Sequence, residues 1–191
     1  MSAMRHLGTG LSDAKHHEEA LAVMEAELSM SRRLGASEYT ILVVQSNLAV
    51  IHGELGNMEK ALIMERDVYS GRLRLHGEGH EETLRAAGNY TTSLKHLMRY
   101  AEAKSLLRKA VPVARRTLGA EHDYTLNLRD IYGRCLYRDP GASRDDVAEA
   151  IEIMDDVQRR ARRVFGPGHP NWNTLPQELT AAREKLASFD T

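Results

Sequence analysis

The chain of 191 residues has few of the features that mark a secreted or membrane-spanning protein. Its one cysteine, Cys135, cannot form a disulfide within the chain, which favours a reducing, cytoplasmic location. Apolar runs such as ILVV at residues 41–44 are far shorter than the roughly 20 residues of a membrane-spanning helix. No basic, apolar and small-residue signal pattern opens the chain. We therefore expect a soluble protein with no membrane partner.

The sequence also lacks an excess of charge of either sign. It has 26 Lys and Arg residues against 27 Asp and Glu residues, for a net charge of -1. General nucleic-acid binders need a surplus of Lys and Arg, so we expect no nucleic-acid partner. Only five prolines and two phenylalanines are present, and the abundance of Ala, Leu, Glu and Arg predicts an all-α fold.

What the chain does have is an internal repeat. Its glycines Gly35, Gly77, Gly119 and Gly166 lie 42, 42 and 47 residues apart. Each follows a long helical pattern, called helix B here, and a second pattern of apolar or small residues at helical spacing, called helix A, comes next. The ranges are 41–55 and 83–97 for helix A, and 58–75, 100–118 and 145–165 for helix B. This spacing predicts one unit of two helices, repeated about four times.

Several local signals set the predicted boundaries of these helices. Ser143 and Asp146 have the spacing of a capping box, so residues 138–142 are predicted to form an inserted surface loop. Pro176 is predicted in the first turn of a shortened final helix, with Thr174 as its cap. Arginines are frequent in the last turns of each helix B, where their charge interacts favourably with the negative end of the helix dipole. A basic patch that binds nucleic acid is the less favoured interpretation of these arginines.

The repeat resembles the kinesin-light-chain type of tetratricopeptide repeat (TPR), whose linker typically reads LGxxHPxT. The matching segments are LGASEYT, HGEGHEET, LGAEHDYT and FGPGHPNW, which begin at residues 34, 76, 118 and 165. The family's helix A motif NLA is kept at residues 47–49, and the resemblance covers residues 12–187. It implies a right-handed α-solenoid of antiparallel helix pairs, forming a single domain over residues 1–191. Its linkers are predicted near residues 35–38, 77–80, 119–122 and 166–169.

The histidines of these linkers, His80, His122 and His169, invite interpretation as a metal or acid–base site. Neighbouring helices pack about 8–10 Å apart, so residues repeated once per helix pair cannot all reach one ion at about 2.1 Å. The first copy carries Glu38 at this position. We therefore predict that these side chains cap or pack the start of the next helix A.

Other candidate chemistry also has simpler explanations. The adjacent His16 and His17 point about 100° apart on a helix, so the segment HHEE fits a solvated face. Cys135 lies within a helix and has no His or Asp partner in register, which favours a small buried role. We predict no catalytic, cofactor-binding or metal site, and no enzymatic activity.

The resemblance implies that helix A lines a concave groove that binds a peptide or a polar segment of a partner protein. Asn47 and Asn89 match the family asparagine, whose amide can both donate to and accept from a ligand backbone. On the middle two repeats, the predicted groove residues include four cations and one anion, Asp130. This excess of positive charge favours an acidic segment of the partner as the ligand. The residues predicted to face the groove are Ser46, Asn47, Val50, Arg85, Asn89, Thr92, Lys95, His96, Asn127, Asp130, Arg134, Tyr137 and Arg138.

Three alternatives to ligand binding in the groove stay open at this point. The polar residues of helix A are also consistent with a merely solvated helix face. A homo-oligomer assembled through uncapped repeat ends is a structural alternative, because a solenoid normally needs a capping element. The chain is also consistent with a regulatory segment of a larger multidomain protein.

Overall fold

The fold is all-α. The computed structural model describes residues 2–190, and within them the regular elements are helices, as predicted. Met1 and Thr191, the ends of the predicted repeat domain, lie outside the described residues. The chain divides into two compact units at Gly77, and each unit is described by itself.

Unit 1 contains two antiparallel helix pairs. Helix α1 packs on α2, α2 on α3, and α3 on α4. The core of this unit contains Met24, Val44, Leu48 and Ile51, all buried. Its helices are α1 (Ser2–Asp13), α2 (His17–Arg33), α3 (Glu38–Glu54) and α4 (Met58–His76).

Unit 2 contains two further pairs and a last, shorter helix. Its core joins α7, α8 and α9 through buried side chains that include Leu136, Met154 and Leu179. Trp172, the only tryptophan, lies in the same core and is 9% exposed. The helices are α5 (Glu81–His96), α6 (Tyr100–Thr117), α7 (Asp123–Arg138), α8 (Arg144–Phe165) and α9 (Leu175–Ala187), with a short 3-10 helix at Pro170–Trp172.

The repeated glycines lie where helices α2, α4, α6 and α8 end. Their φ angles are 63°, 78°, 97° and 87° for Gly35, Gly77, Gly119 and Gly166. An L side chain rarely adopts this left-handed region, and glycine does so without steric cost. The sequence position and the backbone geometry of each helix end therefore agree.

The linker histidines begin the next helix, as predicted. The Nδ1 atoms of His80 and His122 accept hydrogen bonds from the backbone N–H groups of Glu82 and Tyr124, at 3.2 and 3.3 Å. His169 does not cap in this way; its ring packs on Phe165, with 5.2 Å between the ring centroids.

The first linker, which carries Glu38 in place of a histidine, begins its helix with a different cap. Its cap is Ser37 rather than Glu38, and the Ser37 hydroxyl accepts a hydrogen bond from the Thr40 N–H at 3.3 Å. A serine hydroxyl is a better N-cap than a longer glutamate side chain, so the helix begins at the residue that follows the serine.

Of three features predicted for the helix starts of the last repeat, two are present in the structure. Ser143 and Asp146 form the predicted capping box. Helix α9 begins at Leu175 with Pro176 in its first turn. Thr174 precedes that turn, but its side chain makes no capping hydrogen bond. The Thr174 hydroxyl accepts a hydrogen bond from Arg134 at 3.0 Å instead.

Candidate binding surface

The predicted groove residues of unit 1 lie on α3 and carry no charge. Ser46 is 6% exposed, so it offers little surface to a ligand. Asn47 is half-buried and Val50 is 47% exposed. The α3 face therefore presents one amide and one apolar side chain.

The predicted residues of unit 2 lie on α5 and α7, and we call their surface the α5–α7 face. Tyr137 and Asp130 are the least accessible of these residues, and each is 6% exposed. His96 and Arg138 are exposed. The half-buried members are Arg85, Asn89, Thr92, Lys95, Asn127 and Arg134.

A glycine allows α5 and α7 to lie close together. A Cβ atom added at Gly88 of α5 would lie 3.3 Å from Oδ1 of Asn127 on α7. Such a distance is tighter than ordinary van der Waals contact, so the Asn127 side chain would have to shift by a few tenths of an ångström to admit a larger residue. The close approach brings the cations of α5 near those of α7.

Arg134 is held by anions of its own chain. Its Nε donates to Oδ2 of Asp130 at 2.8 Å, one turn earlier on α7. Its Nη1 donates to Oε1 of Glu178 on α9 at 2.9 Å. Burial raises the pKa of Asp130, against the opposing effect of Arg134.

Arg138 and Tyr137 converge on the same Glu178 carboxylate. Arg138 Nη2 donates to the two carboxylate oxygens at 2.6 and 2.8 Å, and the Tyr137 hydroxyl donates to Oε2. Burial would raise the pKa of Glu178, but the hydrogen bonds from Arg138 and Tyr137 keep it below its ordinary value. Burial and the hydrogen bond to Glu178 raise the pKa of Tyr137 to about 12.

This arrangement changes the role predicted for the two arginines. We predicted that Arg134 and Arg138 hold the carboxylates of a ligand, whereas they bind the internal carboxylate of Glu178. Glu178 was not among the residues predicted from the sequence to contact these arginines. One signal was available: Glu178 lies between Leu175, Leu179 and Ala182 on the buried stripe of α9.

Lys95 is the cation of this face that remains without a partner. Within residues 2–190 its ammonium group makes no hydrogen bond or ion pair, although the side chain is half-buried. Burial, followed by the charge of Arg134, lowers its pKa. Burial and the charge of Lys95 also lower the pKa of the neighbouring His96. We call Lys95, His96, Arg134 and Arg138 the Lys95 cluster.

Arg85 lies near the start of α5, and its Nη2 donates to Oε2 of Glu82 at 2.7 Å. The pair is partly exposed on both sides. Such pairs stabilise proteins little, because solvent screens them and side-chain freedom is lost on forming them.

The described residues contain no group of three or more His, Cys, Asp and Glu side chains that could hold a metal ion. Cys135 is a buried free thiol, and burial raises its pKa to about 12. A thiol is a poor nucleophile when it stays protonated. In the part of the chain that the structure covers, each helix is too short or too polar to cross a membrane.

Comparison with known proteins assigns the repeat. The model of the family described as Tetratricopeptide repeat matches residues 41–82, 83–124 and 142–171, which is more than half of the chain. No curated protein matches the chain.

Solved structures share the fold over nearly the whole chain. Two crystal structures of a kinesin light chain-like protein of Podosopora anserina, with nearly identical TPR-like repeats, are 19% and 20% identical. Their TM-scores are 0.79 and 0.78, with 98% of this chain and 86% or 87% of theirs covered. BtubC (BKLC) of P. vanneervenii gives a TM-score of 0.79 at 14% identity, covering 98% of this chain and 73% of that one. These similarities confirm the predicted α-solenoid class.

Proposed function

The chain belongs to the tetratricopeptide repeat family, whose repeats generally mediate protein–protein interactions, and we propose that it binds an extended acidic segment of a partner protein. The proposed binding surface is the α5–α7 face. The fold is typically that of a non-enzymatic scaffold. The proposal includes a cytoplasmic location, which is favoured by the single free thiol.

The observation that carries the proposal is the unpaired ammonium group of Lys95. A half-buried charge costs free energy unless it is paired or hydrogen-bonded. A ligand carboxylate that reached Lys95 would supply the missing partner in a half-buried site. Charge-assisted hydrogen bonds of this kind are about twice as strong as neutral ones.

The balance of charge around Lys95 supports an anionic ligand. Lys95, Arg134 and Arg138 carry three positive charges, whereas the internal carboxylates are those of Asp130 and Glu178. Counted as formal charges, these groups leave one positive charge over. Lys95 and Arg138 lower the pKa of His96, after the larger effect of burial, so a nearby anion would favour its protonated form.

The remaining polar side chains of the face suit an extended backbone. Asn89 on α5 and Asn127 on α7 are half-buried amides, each able to donate and to accept. Thr92 lies between Asn89 and Lys95 on α5 and adds a hydroxyl group. Asn47 and Val50 of α3 remain predicted contacts in their own unit, whereas the buried Ser46 offers little surface.

Peptide display tests this proposal with a random-peptide library in place of the partner. We expect a library selected on the wild-type protein to become enriched in Asp and Glu. The same selection on Lys95→Glu should lose that enrichment, because the variant replaces the unpaired cation by an anion. Enrichment of acidic peptides on both proteins, or of uncharged peptides on the wild type, would contradict the proposal.

A further inference from the structure

A second cationic group lies at the end of α8 and shares no residue with the Lys95 cluster. It consists of Arg159, Arg160 and Arg163 on the last turns of α8, together with Arg129 of α7. We call these four residues the Arg160 cluster. The C-terminal end of α8 lies beside the N-terminal end of the antiparallel α7. The partial charges of these two helix ends have opposite signs, so the helix dipoles add little net charge at the cluster.

Two carboxylates hold the four guanidinium groups of the cluster. Asp156 accepts from Arg129 Nη2 at 2.8 Å, from Arg160 Nε at 2.7 Å and from Arg159 Nη2 at 3.2 Å. Burial would raise the pKa of Asp156, but the hydrogen bonds from Arg160 and Arg129 keep it low.

Glu121 is the second carboxylate, and it lies just before the start of α7. Its Oε1 atom pairs with Arg163 and lies 3.5 Å from Arg160 Nη1. Four positive charges therefore meet two negative charges. Each guanidinium group has five N–H donors, so most donors of the exposed Arg159 and Arg163 remain available.

The surface is concave where this charge accumulates. Asp156, Arg159, Arg160 and Arg163 line a depression of about 340 Å³. A surplus of two positive charges matches the charge of a phosphoryl group near neutral pH, which is about −1.5 to −2. The planar fork of arginine also fits two phosphate oxygens at once.

We propose that the Arg160 cluster binds a single phosphorylated side chain of a partner protein. The phosphoryl oxygens would accept hydrogen bonds from Arg159 and Arg163, and the phosphoryl group would compete with Glu121 for Arg163. This site shares no residue with the Lys95 cluster, so either proposal can fail without the other.

The neighbouring charges limit the ligand to one phosphoryl group. The next depression along α8 is lined by Glu152, Asp155, Gln158 and Arg159. Glu152 is exposed and would repel a chain of phosphates that extended in this direction. The net charge of the whole chain is -1, which also disfavours a polyanion.

Helix α6 offers a natural comparison for the same position in a repeat. Arg115 and Arg116 correspond to Arg162 and Arg163 of α8, because the closing glycines Gly119 and Gly166 lie 47 residues apart. In that register, Pro112 and Val113 stand where α8 has Arg159 and Arg160. The end of α6 therefore has arginines but not the cluster.

The test measures binding of a short peptide with one phosphoserine, alongside its serine and glutamate versions, by isothermal titration calorimetry. We expect the phosphopeptide to bind the wild-type protein most tightly, and the double variant Arg159→Gln/Arg163→Gln to bind it roughly tenfold more weakly. The matched control Arg115→Gln/Arg116→Gln should bind like the wild type. Circular dichroism checks that each variant is folded.

Two further variants separate recognition from a structural role. Arg159→Lys/Arg163→Lys keeps both charges but loses the planar fork, and we expect an intermediate affinity. Glu121→Gln removes the internal competitor, so it should tighten binding. The proposal is overturned if no protein prefers the phosphopeptide, if both double glutamine variants bind it equally, or if single-stranded RNA binds more tightly and depends on the same arginines.

Discussion

The two units use the same repeat position for different chemistry. Asn47 of α3 and Asn89 of α5 lie 42 residues apart and are the same residue. In this register, Gly53 and Glu54 of unit 1 correspond to Lys95 and His96 of unit 2. The α3 face of unit 1 is thus uncharged apart from Glu54, whereas the α5–α7 face of unit 2 carries the Lys95 cluster.

This difference teaches that the repeat fixes where side chains lie but leaves their chemistry free. The glycine linkers, helix starts and apolar cores recur in both units because each is needed for packing. The cations of α5 and α7 have no counterpart on α3; of these, Arg134 and Arg138 pair with Glu178, whereas Lys95 makes no ion pair within residues 2–190. A half-buried, unpaired lysine costs stability rather than adding to it, which is why we propose a binding role for Lys95.

The largest effect should come from Glu178 of α9, the carboxylate that pairs with two arginines of the α5–α7 face. We expect Glu178→Gln to lower the free energy of unfolding of unit 2 by about 2–3 kcal/mol, since Arg134 and Arg138 would lose their shared anion. Urea unfolding followed by the fluorescence of Trp172 reports on this unit, because that residue lies in the same core as α9. Glu184→Gln, on the exposed side of α9, should change little; equal losses in both variants would contradict the role of Glu178.

The pH dependence of that stabilisation has a definite sign. The pKa of Glu178 is depressed in the folded protein, so its contribution is complete above the unfolded pKa and is lost as the pH falls through the folded value. We expect the difference between the wild type and Glu178→Gln to shrink between about pH 5 and pH 3. The charge of Glu178 also raises the pKa of Asp130, so Glu178→Gln lowers the pKa of Asp130 as well. A difference that stayed constant over this range would mean that Glu178 is not the group responsible.

A smaller effect should distinguish the turns between paired helices. Gly56 ends α3 with a φ of 78°, whereas Met98, 42 residues later, has a φ of 56°. Because Met98 is 71% exposed, its side chain contributes little packing to offset this strained conformation. We expect Met98→Gly to raise the free energy of unfolding by about 0.5–1 kcal/mol and Gly56→Ala to lower it by a similar amount. Thermal unfolding measures both; destabilisation by Met98→Gly would contradict this account.

The smallest effect is expected at the ion pairs that both units share. Arg74 pairs with Glu38 in unit 1, and Arg116 lies 3.5 Å from Glu78 in unit 2, all at exposed positions. We expect Arg116→Ala to change the free energy of unfolding by less than about 0.5 kcal/mol. A loss above about 1 kcal/mol in urea unfolding would show that these repeated pairs stabilise the fold more than solvent exposure allows.

The local signals of the sequence predicted most of the fold. Gly77, His80, Ser143 and Pro176 mark helix ends or starts through conformations or hydrogen bonds that need only a few neighbouring residues. The Ser37 cap of the first linker was not predicted from the sequence.

The candidate site could be predicted only in part, because burial and pairing depend on distant residues. The sequence placed Lys95, Arg134 and Arg138 on one surface. It did not indicate that Glu178, 44 residues after Arg134, would neutralise two of them. The burial of Tyr137 likewise depends on α9, whose Glu178 accepts its hydrogen bond.

The central claim, that Lys95 recognises an acidic ligand, is tested most directly by fluorescence anisotropy with a labelled acidic peptide from the display selection. Its counterpart replaces Asp and Glu by Asn and Gln. We expect the wild type to bind the acidic peptide more tightly than its counterpart. Lys95→Gln should weaken binding of the acidic peptide roughly tenfold. The control Lys109→Gln, on the exposed surface of α6, should bind it like the wild type. Equal binding of the acidic peptide by the wild type and Lys95→Gln would contradict the central claim.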